Sequence, residues 1–167
     1  MEYDIEKKEI LVSNISRNQI ASREIIFFNS QGKRIVGFFD SMQKLDYPLI
    51  IIPPAYGETK KNNIWLAYYL VRNGFNVIRY DHTNHLGESD GEIAGVTLET
   101  MRDDLESTVD FVQEKFHSSR IGIIAPSLTA RVALRTVSCK KAIDFLLCLV
   151  GVVNVQDTLY KVYGEDI

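Results

Sequence analysis

The sequence is poor in the residues that would cross-link it, load it with metal or carry it across a membrane. Its two cysteines, Cys139 and Cys148, have neither metal-ligand nor C-x-x-C spacing, which excludes a disulfide framework and suits a structural role in a reducing cytoplasm. Like charges never run for more than a few residues and the formal net charge is -3, so there is no footprint for nucleic acid. The start, MEYDIEKKEI, lacks an apolar signal core and no export signal is read there. The longest apolar run, 143 to 153, is broken by Asp144 and is too short for a membrane span; it reads as a buried strand. No metal and no cofactor is called for. What is present is ample core material: 46% hydrophobic and 25% charged residues in 167 make residues 1–167 a single globular domain.

Residues 1–19 are polar and mixed, and their role is not readable. Two strand-like runs follow, Glu24 to Phe28 and Arg34 to Asp40, separated by the turn-rich Asn29-Ser30-Gln31-Gly32, so an antiparallel hairpin opens the sheet. Leu49 to Ile52 is wholly aliphatic, as in a strand covered on both faces. Pro53-Pro54 ends it, the loop Ala55-Tyr56-Gly57 follows, and Ile64, Ala67, Tyr68 and Val71 mark one face of a helix ending at Asn73-Gly74. A strand from Phe75 to Tyr80 then requires a right-handed parallel crossover.

Asp81 to Gly91 is a loop by composition. Its histidines, His82 and His85, permit either a metal site lacking an evident third ligand or, more simply, a loop that Asp81 and His85 hydrogen-bond into shape beside a pocket. Thr97 caps a long helix with apolar positions at Leu98, Met101, Leu105, Val109, Val112 and Phe116 and a solvated face of Arg102, Asp103, Glu106 and Asp110. His117 ends that helix in solvent. A strand over 144–153 and a further helix from Asn154, through Thr158, Leu159 and Val162, close the chain. Alternating strands and helices predict an α/β sheet with helices on both faces and ligands beyond the carboxyl ends of the strands.

The organising stretch is RIGIIAPSLTARVALRTV, Arg120 to Val137. Ile121, Ile123 and Ile124 read as a buried strand, and helical spacing starts directly after Ser127 with Ala130, Ala133, Leu134 and Val137. Ala125-x-Ser127-x-Thr129 is a relaxed form of the nucleophile elbow G-x-S-x-G, with a branched residue where glycine is usual; the plainer reading is a serine capping a helix. As an elbow, it places the Ser127 hydroxyl as a nucleophile needing a base, usually a histidine held by a carboxylate. The oxyanion donors are then the backbone amides of Leu128 and of Tyr56 in the loop after the third strand.

Asn73-Gly74-Phe75, Arg79-Tyr80-Asp81, His85-x-Gly87-x-Ser89-x-Gly91, the elbow segment and Gly151-Val152-Val153-Asn154 with Asp157-Thr158-Leu159 together resemble the acyl transferases of bacterial luminescence. These are myristoyl-acyl-carrier-protein thioesterases of the α/β-hydrolase superfamily. The likeness runs from about Leu49 to Leu159. It implies an α/β-hydrolase-like, mostly parallel sheet with an antiparallel N-terminal hairpin. It further implies transfer of a fatty acyl group from an acyl-carrier-protein thioester to Ser127 and its release to water or an acceptor.

The resemblance also sets out what this stretch does not contain. The triad acid and histidine follow the nucleophile in this fold, whereas the histidines here, His82, His85 and His117, all precede Ser127. The sheet is therefore expected to lack its later strands, with 154–167 opening a lid-like segment. Three accounts follow: the N-terminal piece of a split or truncated hydrolase, His85 acting as a makeshift base, or a non-catalytic module that binds acyl groups or a partner. An open sheet edge predicts a homodimer or a complementary chain.

Overall fold

The computed structural model describes residues 19–42, 46–116, 120–152 and 154–164. The unread N-terminal segment up to residue 18, His117 and Val153 lie outside the described residues.

Strands β1 (Ala21–Phe28) and β2 (Arg34–Ser41) form the expected antiparallel hairpin, with Phe28 opposite Arg34. Its turn is closed by Asn29, whose Oδ1 accepts from the amides of Gln31 at 3.1 Å and Lys33 at 2.9 Å. Asparagine favours such turns because its side chain can stand in for a backbone acceptor. Then come β3 (Leu49–Ile52), α1 (Ile64–Arg72), β4 (Asn76–Tyr80), α2 (Leu98–Phe116), β5 (Ile121–Pro126), α3 (Thr129–Cys139), β6 (Ile143–Leu149) and α4 (Val155–Tyr163). The six strands make one sheet in the order β1-β2-β4-β3-β5-β6, antiparallel through the first two pairings and parallel through the rest. Parallel β4, β3 and β5 are neighbours, so the loops leaving their carboxyl ends emerge side by side.

Both faces of the sheet are covered, and β3 shows why its sequence has no alternation. Leu49 and Ile51 join Met101, Leu105, Val109 and Val112 of α2 and Ala130, Val132 and Ala133 of α3 in one core. Ile50 and Ile52 join Ala67 and Val71 of α1 in the other. Stacked pairs Phe27–Phe111 and Phe39–Phe116, with centroids 4.4 and 4.5 Å apart, pin α2 to the hairpin. Thr97 caps α2 as expected: its Oγ1 accepts from the Thr100 amide at 3.1 Å while Thr100 Oγ1 accepts from the Thr97 amide at 2.9 Å. These two amides are thereby each met by the other residue's hydroxyl.

Three expectations are corrected. The face of α1 that packs is Ala67 and Val71 with Leu66 and Leu70 beside them, while Ile64 and Tyr68 are exposed; the helix is turned so that its bulkier apolar residues point outward. In α3, Leu134 is exposed and Val132 takes the buried place. The run over 143–153 is no buried strand. β6 ends at Leu149, and Phe145 and Leu147 remain 45% and 48% exposed, because among the described residues β6 has β5 on one side and no strand on the other. Among the described residues, no helix is long and apolar enough to cross a membrane.

The two environments separate by mutation. Leu105→Ala should lower the unfolding free energy by about 2–5 kcal/mol by opening a cavity in the core, whereas Ile64→Ala should change it by less than about 1 kcal/mol; paired urea melts measure both.

Candidate active site

Ser127 sits on the turn between β5 and α3, half-buried, outside both elements. Its φ is +50°, a left-handed conformation that non-glycine residues rarely hold and that tends to persist at functional sites. The turn is fastened from both sides: the Ser127 amide donates to Leu149 O at 2.9 Å, and Ser127 O accepts from the amides of Ala130 and Val152, both at 3.2 Å. Ala125 is fully buried, so the small residue before the turn is required by packing. Thr129, the departure from glycine, is buried as well, and its Oγ1 donates to Pro126 O at 2.5 Å. A branched side chain is tolerated here because its hydroxyl closes the turn instead of obstructing it.

The loop after β3 has a division of labour among its amides. Ala55 N–H donates to Glu58 Oε2 at 3.3 Å, Gly57 N–H to His85 Nε2 at 3.1 Å and Glu58 N–H to Ala55 O at 3.0 Å. Among the described residues, the amides of Tyr56 and Leu128 have no acceptor. The Tyr56 side chain is exposed and stands edge-on to His85 with centroids 5.2 Å apart.

Below this loop lies a buried polar knot. Asp81, fully buried at the end of β4, accepts from Lys60 N and Lys60 Nζ, each at 2.6 Å, and from Glu88 N at 2.9 Å. Lys60 Nζ also reaches Glu88 Oε2 at 2.6 Å. Burial pulls the Lys60 ammonium down, but hydrogen bonds and the charges of Asp81 and Glu88 outweigh it and hold the group above the ordinary lysine value. Glu88 is held below the usual range, chiefly by its hydrogen bond from Lys60. Arg79 pairs with buried Asp40 at 2.8 Å and donates to Lys60 O, so the loop is gripped through its backbone too. Ser89 ties the loop after β4 to itself and to β2, donating to Asp81 O at 2.7 Å and accepting from the Val36 amide at 2.9 Å.

The structure thus brings Asp81 and His85 together with the Tyr56 loop through the Lys60 and Gly57 amides. Two participants escaped the sequence reading. Lys60 lies three residues past the Ala55-Tyr56-Gly57 loop, with nothing local to say that it is buried. Asp104 is fully buried and accepts from Asn29 Nδ2 at 2.9 Å, Thr83 N at 2.7 Å and Thr83 Oγ1, with His82 Nδ1 at 3.3 Å. A signal existed: Asp104 and Thr108 fall on the stripe of Met101, Leu105 and Val109, where a carboxylate must have partners. Two other acids of α2 do more than decorate its solvated side, since Asp103 accepts from Ser30 Oγ at 2.5 Å and Asp110 from Lys140 Nζ. Among the described residues, no group of three or more His, Cys, Asp or Glu side chains could hold a metal ion.

A mostly parallel sheet in this order, with a serine on a left-handed strand-to-helix turn, defines the α/β-hydrolase fold. Solved structures agree in fold. An esterase from Pyrococcus furiosus superposes with a TM-score of 0.72 at 20% identity, covering 89% of this chain and 58% of that one. An acetyl xylan esterase from Paenibacillus sp. R4 gives 0.74 at 12% identity, over 92% and 56%. Within that fold the acyl transferase family profile matches residues 35–167, and the chain belongs to this family. It is similar to the acyl transferases of Vibrio campbellii, 40% identical over 70% of this chain and 38% of that one, and Aliivibrio fischeri, 37% identical over 83% and 45%. The chain therefore spans less than half the length of these relatives.

The knot predicts two losses of stability. Lys60→Met, which leaves Asp81 buried without its cation, should cost about 3–5 kcal/mol. Gly87→Ala should cost about 2–4 kcal/mol, because Gly87 has φ +118° and an added Cβ would fall 2.3 Å from the Asp81 carboxyl. Denaturant unfolding of each variant checks the values.

Proposed function

We propose that this chain carries the nucleophilic portion of a serine acyl hydrolase or acyltransferase acting on fatty acyl thioesters of an acyl-carrier protein. The observation that carries the reading is the φ of +50° at Ser127 on the β5–α3 turn, with amides at Leu128 and Tyr56 that have no acceptor among the described residues. Membership of the acyl transferase family supports it.

In this reading the Ser127 hydroxyl attacks the thioester carbonyl carbon as a base takes its proton. The carbonyl oxygen becomes an oxyanion that accepts from the Leu128 and Tyr56 amides, each worth about 3 kcal/mol in the transition state. The C–S bond then breaks, the carrier leaves as a thiol and an ester remains on Ser127. Water or another acceptor attacks that ester and restores the serine. Base and acid are assigned to residues beyond this stretch or on a second chain, since His82 and His85 are committed to Asp104 and Gly57. Helix α4, capped by Asn154 Oδ1 accepting from the Asp157 amide at 3.2 Å, is assigned to the start of a lid. The free cysteines Cys139 and Cys148 suit a cytoplasmic setting.

A second reading, a binding module without catalysis, is favoured by the half-exposed apolar residues of β6, an edge that invites a homodimer or a complementary chain.

Incubation with a fluorophosphonate probe should give an adduct on Ser127 by mass spectrometry when the chain is co-expressed with the downstream half of an acyl transferase, and little or none on the chain alone, which lacks the activating base. Ser127→Ala should give none; equal labelling of the variant overturns the assignment. Light scattering should find the isolated chain associated, and a monomer at high concentration removes the edge proposal.

A further inference from the structure

The loop that would supply the Tyr56 amide is held by a histidine acting as an acceptor. An imidazole nitrogen accepts a hydrogen bond only while it carries no proton. His85 is nine-tenths buried; its Nε2 receives the Gly57 N–H at 3.1 Å, so its single proton resides on Nδ1. Gly57 N–H belongs to the peptide that follows Tyr56, and the remaining amides of the turn, those of Ala55 and Glu58, are engaged with Glu58 Oε2 and Ala55 O. Three held amides flank the Tyr56 N–H, which has no acceptor among the described residues. Remove the His85 acceptor and the peptide next to the Tyr56 N–H is free to turn.

Resting on the acyl-transfer reading above, we propose that His85 is a positioning residue: unprotonated Nε2 holds the loop after β3 so that the Tyr56 amide stays aimed at the oxyanion, and protonation of His85 releases it. His85 touches no reacting atom. The groups facing it are the Tyr56 ring and Glu58 backbone from the loop after β3, His82 on its own loop and Asp81 at the end of β4. Burial, with the neighbouring His82, lowers the His85 value below the usual 6.5, against opposing pulls from the Glu58 backbone and Asp81. The folded state therefore favours the unprotonated ring. The latch is closed at neutral pH, its stabilisation is full above the unfolded-state value, and it is lost as pH falls through the lower folded-state value.

The test combines a spectroscopic readout with a chemical one. In 15N-labelled protein, the Gly57 amide resonance should be steady at neutral pH and move in acid with the same midpoint as the His85 ring. Over that range the rate of fluorophosphonate labelling at Ser127 in the co-expressed protein should fall roughly ten-fold, a fraction of what losing an oxyanion donor outright would remove. His85→Gln, whose side-chain oxygen can accept but does not titrate, should keep the neutral-pH rate within about three-fold and lose the His85-linked acid limb. His85→Ala should be slow at every pH, with circular dichroism confirming that it is folded. A Gly57 resonance indifferent to both pH and His85→Gln overturns the latch, whatever happens at Ser127. A responsive Gly57 with unchanged labelling overturns the positioning role. Absence of any Ser127 adduct under all conditions, with the latch intact, overturns the acyl-transfer reading and the role that depends on it.

Discussion

A carboxylate with no access to water has to be answered inside the protein, and Asp81 is the point on which this end of the molecule turns. Burying an unpaired charge is prohibitive. Asp81 is instead met by an ammonium and two backbone amides, all drawn from loops: Lys60 from the segment after β3 and Glu88 from the segment after β4. One charge thereby sets the spacing of two loops that share no secondary structure. The glycine at 87 follows from the same demand, since the backbone passes too near the carboxyl for any side chain. Ser89 and the Arg79–Asp40 pair extend the grip back to β2.

Much of this architecture was legible in the sequence, and the exceptions share a cause. The hairpin, the four aliphatic residues of β3, the Thr97 cap and the periodic face of α2 are local patterns, and local patterns survive translation into structure. The phase of α1 failed because Ile64 and Tyr68 offered as good an apolar spacing as Ala67 and Val71; only the space available against the sheet decides for the small pair. β6 failed because hydrophobicity records what a strand is suited to meet, while burial depends on whether it meets it. Asp104 and Lys60 were hidden because their partners lie 21 to 75 positions away in the chain.

The elbow shows how a motif can be relaxed without losing its geometry. Glycine two residues after the serine is usual because strand and helix crowd there. Here Thr129 meets the crowding with a hydroxyl turned back on the Pro126 carbonyl, and Pro126 itself favours extended backbone at Ala125. The left-handed serine is then held by Leu149 and Val152, on either side of the β6 end. Strand β6 thus contributes to the turn through its terminus even though much of its length faces solvent.

The outward phase of α1 also determines how this protein can be watched. Its one tryptophan, Trp65, lies on that helix 61% exposed, beside the exposed rings of Tyr68 and Tyr69. An indole already in water in the folded chain has little left to gain in polarity when the chain opens, so its emission colour is nearly blind to loss of the core. Placed on the far side of the sheet from α2 and α3, the same indole is instead a resident beacon for whatever settles on α1.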